Sequence, residues 1–415
     1  MTRVKAYPVY LILTAATSFA FSVAFTTSAV YRYEAAGLDP LQLVLLGTAL
    51  EASIFIFEIP TGVVADLFSR RLSLIIGYAV IGMGMLLEGS FQFFATILLA
   101  QIIWGIGYTF ISGAQSAWLA DELGEERLTA AFLRGSQVAQ LATLAGIGAN
   151  VLLANRQLNL PYFAGGLVHI VLALFLALLM PEHGFTPTPS AERDTWSRMG
   201  DTFRLGMQTI RVKPLLTTIL GISFIYGLYS EALDRLWQPH FLTNVMPPAA
   251  FELSMVSWFG IITAATMVIS IGVAEIVRRR TRELDPMRMT VLLALFSTVI
   301  LTGLVIFGLA RTFPIALAAF ASVDIARSTL NPLYDSWTNR GLPTAVRATV
   351  LSTYGQMDAI GQVIGGPFVG LIANQAGLRV ALVVAGLLLS PVLLLYRRAY
   401  RQTAVALETE PVKAD

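Results

Sequence analysis

Long apolar stretches alternate with short polar ones along the whole of this 415-residue chain. A helix that crosses a membrane needs about 20 consecutive, mostly apolar residues, because the hydrocarbon core of a bilayer is about 30 Å thick. A window of that length, broken at proline, glycine and clusters of charge, predicts twelve spans. Numbered in chain order, spans 1 to 12 cover residues 7–31, 42–65, 71–91, 94–119, 129–154, 160–180, 215–243, 250–277, 287–310, 313–338, 348–373 and 378–397.

The distribution of cationic residues agrees with this number of spans. If both termini lie on one side of the membrane, the loops on that side hold 22 of the 28 Lys and Arg residues. The loops on the opposite side hold four, namely Arg32, Arg156, Arg311 and Arg379. A wrong number of spans would place cationic residues from both sides of the membrane in the same set of loops. Because cationic loops face the cytoplasm, the sequence predicts a multi-pass inner-membrane protein with both termini in the cytoplasm.

One longer polar segment, residues 181–213, follows span 6. Its first part is rich in proline, which is typical of a linker. Its last part places Phe203, Met207 and Ile210 on one helical face, with Arg204 nearby. This pattern predicts a short amphipathic helix on the cytoplasmic surface of the membrane. A plain solvated linker is the alternative interpretation.

The halves on either side of this linker resemble each other in sequence. A shift of 220 residues places Gly135 on Gly355 and Gly146 on Gly366. Duplicated helical bundles are a common architecture of secondary transporters. We therefore expect an all-α membrane protein with an N-terminal six-helix bundle at 1–180, the linker at 181–213, a C-terminal six-helix bundle at 214–400 and a cytoplasmic tail at 401–415.

The composition excludes several classes of function. Hydrophobic residues make up 56% of the chain and charged residues only 13%, against about 25% charged residues in soluble domains. The net charge of +2 shows no bias toward nucleic acid. The chain has no cysteine, and its sequence shows no nucleophile–base set and no cluster of metal ligands. We therefore expect no enzymatic activity, no cofactor and no bound metal ion.

The loop between spans 2 and 3 carries the motif Gly62-Val-Val-Ala-Asp66-Leu-Phe-Ser-Arg70-Arg71. It resembles the major facilitator superfamily signature Gly-x-x-x-Asp-x-x-Gly-Arg-Arg/Lys, with serine in place of the second glycine. A partial copy with the same acid-to-base spacing follows span 8, as Glu275, Arg279 and Arg280. The resemblance implies two pseudo-symmetric six-helix bundles that work by alternating access. It also implies a cytoplasmic gate at these motifs, with Asp66 in contact near Arg70 and Arg71.

Two further family features depart from their usual form. Span 4 carries Gln101 where many proton-coupled members carry arginine. Span 5 lacks the Gly-Pro motif that drug antiporters often carry there, and a glycine-rich run lies instead in span 11, at Gly361, Gly365, Gly366, Pro367 and Gly370. Small residues at this spacing allow helices to approach closely, so this run has either a packing role or a family-specific one.

Ionisable residues lie well inside several predicted spans, at Glu51, Glu58, Glu231, Asp234, Arg235, Asp324, Arg327 and Asp358. A charge at the centre of a bilayer costs about 2.5–3.5 kcal/mol on insertion scales, so its presence indicates a function or a buried pair. Asp324 and Arg327 are three residues apart, which predicts an ion pair within one helix. The charged residues of spans 7 and 10 are also candidates for the substrate cavity.

Three of these acids, Glu51, Glu58 and Asp358, have no basic neighbour in the sequence. Loss of hydration disfavours the charged form of a carboxylate, so each could be neutral at rest and exchange a proton when water reaches it. Pro60 should loosen the helix beside Glu58, because proline cannot donate a backbone hydrogen bond to Ile56. These acids are the predicted proton-coupling residues. The alternative is a fixed hydrogen bond across a helix interface.

Aromatic residues of the same spans are candidates for contact with a solute. They are Phe25, Tyr31, Trp104, Tyr108, Tyr226 and Tyr229. An aromatic lining suits a large apolar or cationic solute. Ordinary packing is the alternative role for each of them.

The resemblance and the excess of membrane acids together predict a secondary active transporter for proton-coupled efflux of amphipathic, drug-like compounds. Its expected partners are protons, a small-molecule substrate and the lipid bilayer, and we expect a monomer that binds no nucleic acid. A symporter or uniporter for a nutrient or a lipid is the alternative within the same fold. A non-transporting receptor or a channel is the alternative from another class.

Overall fold

The structure is a computed structural model that describes residues 5–186, 210, 214–248, 252–281, 285–339 and 344–409. In this part of the chain the regular elements are helices, and they join into twelve long helical segments. They are α1 (Ala6–Ala35), α2 (Pro40–Leu67), α3 (Arg70–Ser90), α4 (Phe94–Leu123), α5 (Glu125–Ala154), α6 (Leu160–Leu179), α7 (Pro214–Asn244), α8 (Met255–Thr281), α9 (Pro286–Leu309), α10 (Phe313–Asn339), α11 (Thr344–Ala376) and α12 (Leu378–Val405).

Eleven of these helices are long and apolar enough to cross a membrane by length and composition. The other one, α11, is 33 residues long and carries Gln356, Asp358 and Gln362 near its middle. The predicted number of helices is confirmed, and most helix ends lie within a few residues of the predicted ones. The exception is α12, which extends to Val405, beyond its predicted end at residue 397. The predicted amphipathic helix at the end of the linker lies outside the described residues, apart from Ile210.

Local chemistry sets several helix ends. Asp39 caps α2 by accepting a 2.9 Å hydrogen bond from the Gln42 backbone N–H, and the Gln42 side chain accepts in turn from the Asp39 N–H at 3.0 Å. This reciprocal arrangement satisfies two amide groups that a helix start leaves without partners. Gly124, with φ of 74°, makes the left-handed turn between α4 and α5 that other residues adopt at a cost.

The helix contacts repeat from one half of the chain to the other. In the first half α1 packs against α5 and α6, and α3 packs against α4 and α6. In the second half α7 packs against α11 and α12, and α9 packs against α10 and α12. Adding six to each helix number converts the first set of pairs into the second. The two bundles are therefore internal repeats in their packing as well as in their sequence.

The chain divides into two compact units, Met1–Arg193 with Ala249–Ala264, and Asp194–Pro248 with Ala265–Asp415. We describe the side chains of each unit separately, and refer to α1–α6 and α7–α12 as the N-terminal and C-terminal halves. The domain boundaries proposed from the sequence stay a prediction.

Close approach of helix backbones explains the glycine-rich run of α11. A Cβ atom on Gly361 or Gly365 would meet the backbone of α7, at the carbonyl oxygens of Phe224 and Leu228. In the N-terminal half, a Cβ atom on Gly146 of α5 would lie 2.7 Å from the Phe19 carbonyl of α1. Such contacts exclude any larger side chain, so the run packs α11 against α7.

Candidate functional site

Two carboxylates of α2 lie near the aromatic side of α4. Tyr108 is close enough to Glu51 and Glu58 to interact electrostatically with both. The Glu58 side chain is half-buried, and among the described residues it has no ion-pair partner. The helix continues past Pro60 as far as Leu67, so any loosening beside Glu58 is local.

An aromatic wall extends from Tyr108 along α4 and α1. The Trp104 and Tyr108 ring centroids are 6.1 Å apart, and Trp104 lies 5.6 Å from Phe25 and 5.8 Å from Phe21. The Trp104 Nε1 group is buried with no hydrogen-bond partner in the described part of the chain. The wall and the two carboxylates meet at Tyr108, which is 41% exposed. This arrangement can hold a flat or cationic group beside a negative charge.

Three of the six candidate aromatic residues are buried or bonded into the bundles. The Tyr31 ring is fully buried, and its hydroxyl donates a 2.8 Å hydrogen bond to the Glu88 carbonyl. The Tyr226 hydroxyl is bonded to Ser297 at 2.8 Å and to Tyr396 at 2.7 Å. Tyr229 is only 3% exposed. The polar ends of Tyr31 and Tyr226 are therefore satisfied inside the protein, and the cavity role expected for them stays a prediction.

A buried polar triad in the N-terminal half is not evident from the sequence. Arg32 was assigned to a loop, but it lies in the π-helical turn that ends α1 and is 2% exposed. Its Nε donates a 2.8 Å hydrogen bond to one Glu88 oxygen, and Gln101 donates to the other oxygen at 2.7 Å. The residue that could have revealed this triad in the sequence is Gln101 of α4. It stands where many family members carry arginine, and it binds Glu88 of the neighbouring helix α3.

An ion pair in the C-terminal half joins α10 to α7. Arg327 donates two parallel hydrogen bonds to the Asp234 carboxylate, at 2.5 and 2.9 Å. The predicted pair between Arg327 and Asp324 within α10 is therefore wrong. This bidentate contact across two helices satisfies two guanidinium nitrogens of Arg327 at once and fixes the orientation of the side chain. Asp324 instead interacts with the Thr266 hydroxyl of α8.

Three further charged residues complete this polar cluster. Glu231 accepts a 3.2 Å hydrogen bond from Arg235, one helical turn along α7. Asp358 of α11 accepts a 2.7 Å hydrogen bond from the neutral amide of Gln362. Tyr229 interacts electrostatically with Arg327, Asp234 and Asp358, which places the three helices around one centre. The structure thus brings together all the candidate charges of spans 7, 10 and 11.

The arginines inside the spans are fully used by these contacts. Each of the three takes one acid, in the pairs Arg32–Glu88, Arg235–Glu231 and Arg327–Asp234. Glu58, Asp324 and Asp358 are left, and none of them forms a salt bridge within 4.0 Å among the described residues. The membrane acids therefore outnumber the cations that could neutralise them.

The signature loop between α2 and α3 makes contacts that differ from the expected ones. Arg70 pairs with Asp121 at the end of α4, whereas Asp66 is exposed and has no ion-pair partner in the described residues. The ion-pair form of the contact expected for Asp66 is therefore wrong, and a helix-dipole contact, like the cytoplasmic gate itself, stays a prediction. A Cβ atom added to Gly62 would meet open space, so its role does not come from packing within its own half.

The serine that replaces a signature glycine has a structural role here. The Ser69 hydroxyl donates a 2.6 Å hydrogen bond to Glu182, and the Arg71 backbone N–H donates to the same carboxylate at 2.9 Å. Ser69 also caps α3 by accepting from the Leu72 N–H at 2.9 Å. The beginning of the linker is thus fastened to the signature loop.

The copy of the signature after α8 forms a different, exposed pattern. Glu275 accepts 2.7 Å hydrogen bonds from both Arg278 and Arg279, which lie one turn along its own helix. Arg280 is exposed. In the described part of the chain, no group of three or more His, Cys, Asp and Glu side chains is placed to hold a metal ion.

Comparison with known proteins identifies the family. The sequence model described as Major Facilitator Superfamily matches residues 10–364. The chain belongs to the major facilitator superfamily. It is therefore a multi-pass membrane transporter, and its signature loop is that of the superfamily. YxaM of Bacillus subtilis (strain 168), an uncharacterised MFS-type transporter, is 24% identical over 366 residues, which cover 86% of this chain and 87% of that protein.

Solved structures of the superfamily share the fold at much lower identity. The nucleoside transporter NupG superposes with a TM-score of 0.76 at 12% identity, covering 97% of this chain and 100% of that one. A bacterial homologue of the human lysosomal transporter Spinster gives 0.77 at 13% identity, with 96% and 97% covered. A POT family transporter in complex with 5-aminolevulinic acid gives 0.76 at 12% identity, with 95% and 96% covered. These likenesses show the fold alone.

Proposed function

We propose that this transporter is a proton-coupled antiporter that exports cationic, amphipathic compounds. The observation that carries the proposal is the surplus of membrane acids. Once the three arginines have taken their partners, Glu58, Asp324 and Asp358 have only neutral hydrogen-bond partners or none among the described residues. The proposal therefore rests on charge balance and not on a likeness to any one relative.

An acid without a cation is costly inside a membrane. Moving a carboxylate away from water carries a penalty of several kcal/mol even after relaxation, so the group gains a proton or a positive partner. Either a proton or a cationic substrate neutralises Glu58 or Asp358, but both together would leave a surplus of positive charge. Competition between the two for the same acids is the physical basis of exchange.

The aromatic wall supports an amphipathic substrate. Tyr108 interacts with Glu58 and lies at the end of the aromatic wall formed with Trp104 and Phe25. Each aromatic face can attract a cation by about 0.5–2 kcal/mol. A hydrophilic cation such as a metal ion has no apolar surface to place there. The combination of rings and a carboxylate therefore favours organic cations with an apolar body.

Alternating access turns this competition into transport. A protein with two conformations moves substrate when each ligand favours its own conformation or exposure. Protons enter along their gradient, and release of a proton on the cytoplasmic side leaves acids that bind a cation from that side. The inward proton gradient then drives the organic cation outward.

The test measures ethidium transport by the purified protein in liposomes, with and without an imposed pH gradient. Glu58→Gln and Asp358→Asn remove titration but keep the shape of the side chain, and we expect each to lower gradient-driven transport at least about tenfold. Glu126→Gln, an exposed acid of α5, removes the same charge elsewhere and should transport normally.

Several outcomes would overturn the proposal in distinct ways. Full gradient-driven transport by both variants would exclude these acids. Ethidium movement with no dependence on the pH gradient indicates a uniporter, and movement in the direction of the protons indicates a symporter. A conductance without saturation or counterflow indicates a channel.

A further inference from the structure

A groove runs between α9 and α12 in the C-terminal half. It has a volume of about 490 Å³, and its walls are mostly apolar side chains, among them Val291, Leu295 and Leu393. Leu295 is 58% exposed and Val291 is 46% exposed, so the groove opens outward from the bundle. In a membrane such an opening faces lipid, because apolar side chains exposed between two spanning helices contact acyl chains.

One end of the groove is basic. Arg397 and Arg401, one helical turn apart on α12, line the same groove as the apolar residues. A second hollow of about 280 Å³ shares Val291 and Tyr400 with it and adds Arg288 and Asp285 at the start of α9. The apolar channel therefore continues into a region lined by three arginines.

Among the described residues, the positive charge at this end exceeds the negative charge. Arg288 pairs with Asp285 at 3.3 Å, which removes one positive charge. Arg397 and Arg401 are exposed, and neither forms an ion pair with any described residue. Three arginines and one aspartate leave a net charge of +2 in the hollow.

The topology predicted from the sequence places the basic end at the cytoplasmic surface of the membrane. These arginines belong to the side of the membrane that the sequence assigns to the cytoplasm. Tyr400 lies beside them with 37% of its side chain exposed, as expected of an aromatic residue at a membrane–water interface. An apolar channel that ends in cations at this surface matches a lipid molecule in both polarity and orientation.

We propose that the groove between α9 and α12 is a binding site for an anionic phospholipid of the cytoplasmic leaflet. One acyl chain lies along Val291, Leu295 and Leu393, and the phosphate group contacts Arg397 and Arg401. Basic hollows between spanning helices on the cytoplasmic side are known to bind anionic head groups. The site lies within α9 and α12 and does not depend on the proposed transport activity.

The test counts phosphatidylglycerol molecules retained by the purified, full-length protein in native mass spectrometry. The lipid is added over a range of concentrations, and phosphatidylcholine is added in parallel. We expect the double variant Arg397→Gln/Arg401→Gln to bind phosphatidylglycerol about tenfold more weakly than the wild type, since each arginine near a membrane surface contributes measurably to anionic lipid binding.

A matched control removes the same charge from the other half. Arg127 and Arg134 are exposed in the first turns of α5 and lie outside the groove. The variant Arg127→Gln/Arg134→Gln should retain phosphatidylglycerol like the wild type. Equal loss of lipid in both double variants would show a general charge effect and overturn the proposal, as would equal retention of phosphatidylglycerol and phosphatidylcholine by the wild type.

A second variant tests the acyl-chain part of the site without changing any charge. Ala294→Phe places a ring in the groove, and it should displace the lipid although Arg397 and Arg401 remain. A thermal unfolding curve with a single transition, like that of the wild type, shows that the variant is folded. Undiminished retention of phosphatidylglycerol by the folded Ala294→Phe variant would contradict a lipid chain in this groove.

Discussion

In each half of the protein an arginine–carboxylate pair inside the spans joins two helices, and the two pairs differ in their access to solvent. Arg32 and Glu88 of the N-terminal half are each 2% exposed. Arg327 and Asp234 of the C-terminal half are 27% and 43% exposed, although their contact is bidentate. The same chemical pair is thus sealed in one half and accessible in the other.

The difference separates two uses of charge in a membrane protein. A sealed pair cannot be broken without leaving an uncompensated charge, so it behaves as a fixed joint between α1 and α3. An accessible pair can open at small cost, because water and neighbouring acids replace the lost contact. Asp324 and Asp358 are such neighbours for Arg327. The C-terminal pair is therefore suited to rearrange during a transport cycle.

The sealed pair should give the largest effect when one partner is removed. Glu88→Leu leaves the Arg32 guanidinium buried with no carboxylate, and we expect a loss of about 3–5 kcal/mol in the free energy of unfolding. Thermal unfolding of the purified protein in detergent measures the change. A drop in the amount of folded protein in the membrane should accompany it.

Removal of both partners sharpens this prediction. The double variant Arg32→Leu/Glu88→Leu leaves no buried charge, so it should be more stable than Glu88→Leu alone. A double variant that is less stable than the single one would show that the pair is held by packing and not by its charge. The comparison between the sealed and accessible pairs would then fail.

The accessible pair should affect transport more than stability. Asp234→Asn removes the carboxylate charge but leaves Asp324 and Asp358 near Arg327, so we expect a stability loss of at most about 1 kcal/mol. Transport should fall at least about tenfold, because the freed arginine then neutralises an acid that the cycle needs. The two readouts are thermal unfolding and ethidium transport in liposomes.

A reversal of these two results would contradict the proposed difference between the sealed and the accessible ion pair. Strong destabilisation by Asp234→Asn with normal transport in the remaining folded protein would make this pair a structural joint like the first. Glu126→Gln is the control, because it removes an exposed carboxylate elsewhere while the Arg327 pair stays intact.

The sequence was sufficient for the architecture because hydrophobicity and charge leave a strong one-dimensional pattern. Twelve apolar stretches and the cationic loops define the helices without any tertiary information. The partners of individual charges could not be obtained in this way. Arg32 follows an apolar stretch and looks like a loop residue, but a π-helical turn brings it back into the bundle beside Glu88.

The same limit applies to Arg327 and the signature loop. Sequence spacing favoured Asp324 for Arg327, and the signature motif implied a contact of Asp66 near Arg70. The observed partners, Asp234 and Asp121, lie on other helices. Which helix faces an arginine depends on helix rotation and packing, and a single sequence does not specify either.

In each half a glutamine donates a hydrogen bond to a membrane acid, Glu88 or Asp358, and its replacement should have a smaller effect than the loss of an ion-pair partner. Gln101 donates to Glu88 at 2.7 Å inside the sealed triad and is 2% exposed. Gln101→Leu should lower the free energy of unfolding by about 1–3 kcal/mol, because it leaves one buried carboxylate oxygen without its donor. Thermal unfolding measures this, and a change below about 0.5 kcal/mol would show that water or another group takes the place of Gln101.

The smallest effect on stability is expected at Gln362, the corresponding donor of the C-terminal half. Its amide donates to Asp358 at 2.7 Å, also along a spanning helix, but the acid is only partly buried and has no ion pair among the described residues. Gln362→Leu should therefore leave the unfolding temperature nearly unchanged, since the carboxylate can gain water or a proton in place of the amide.

The Gln362→Leu change should alter the pH dependence of transport, because the amide is the one described hydrogen-bond partner of Asp358, a proposed proton carrier. Transport measured between pH 5.5 and 8.5, at roughly half-unit steps across the range in which a buried carboxyl group can titrate, gives the profile of each variant. A wild-type pH profile in Gln362→Leu, combined with a clear loss of stability, would assign Asp358 to a fixed structural contact like that of Glu88.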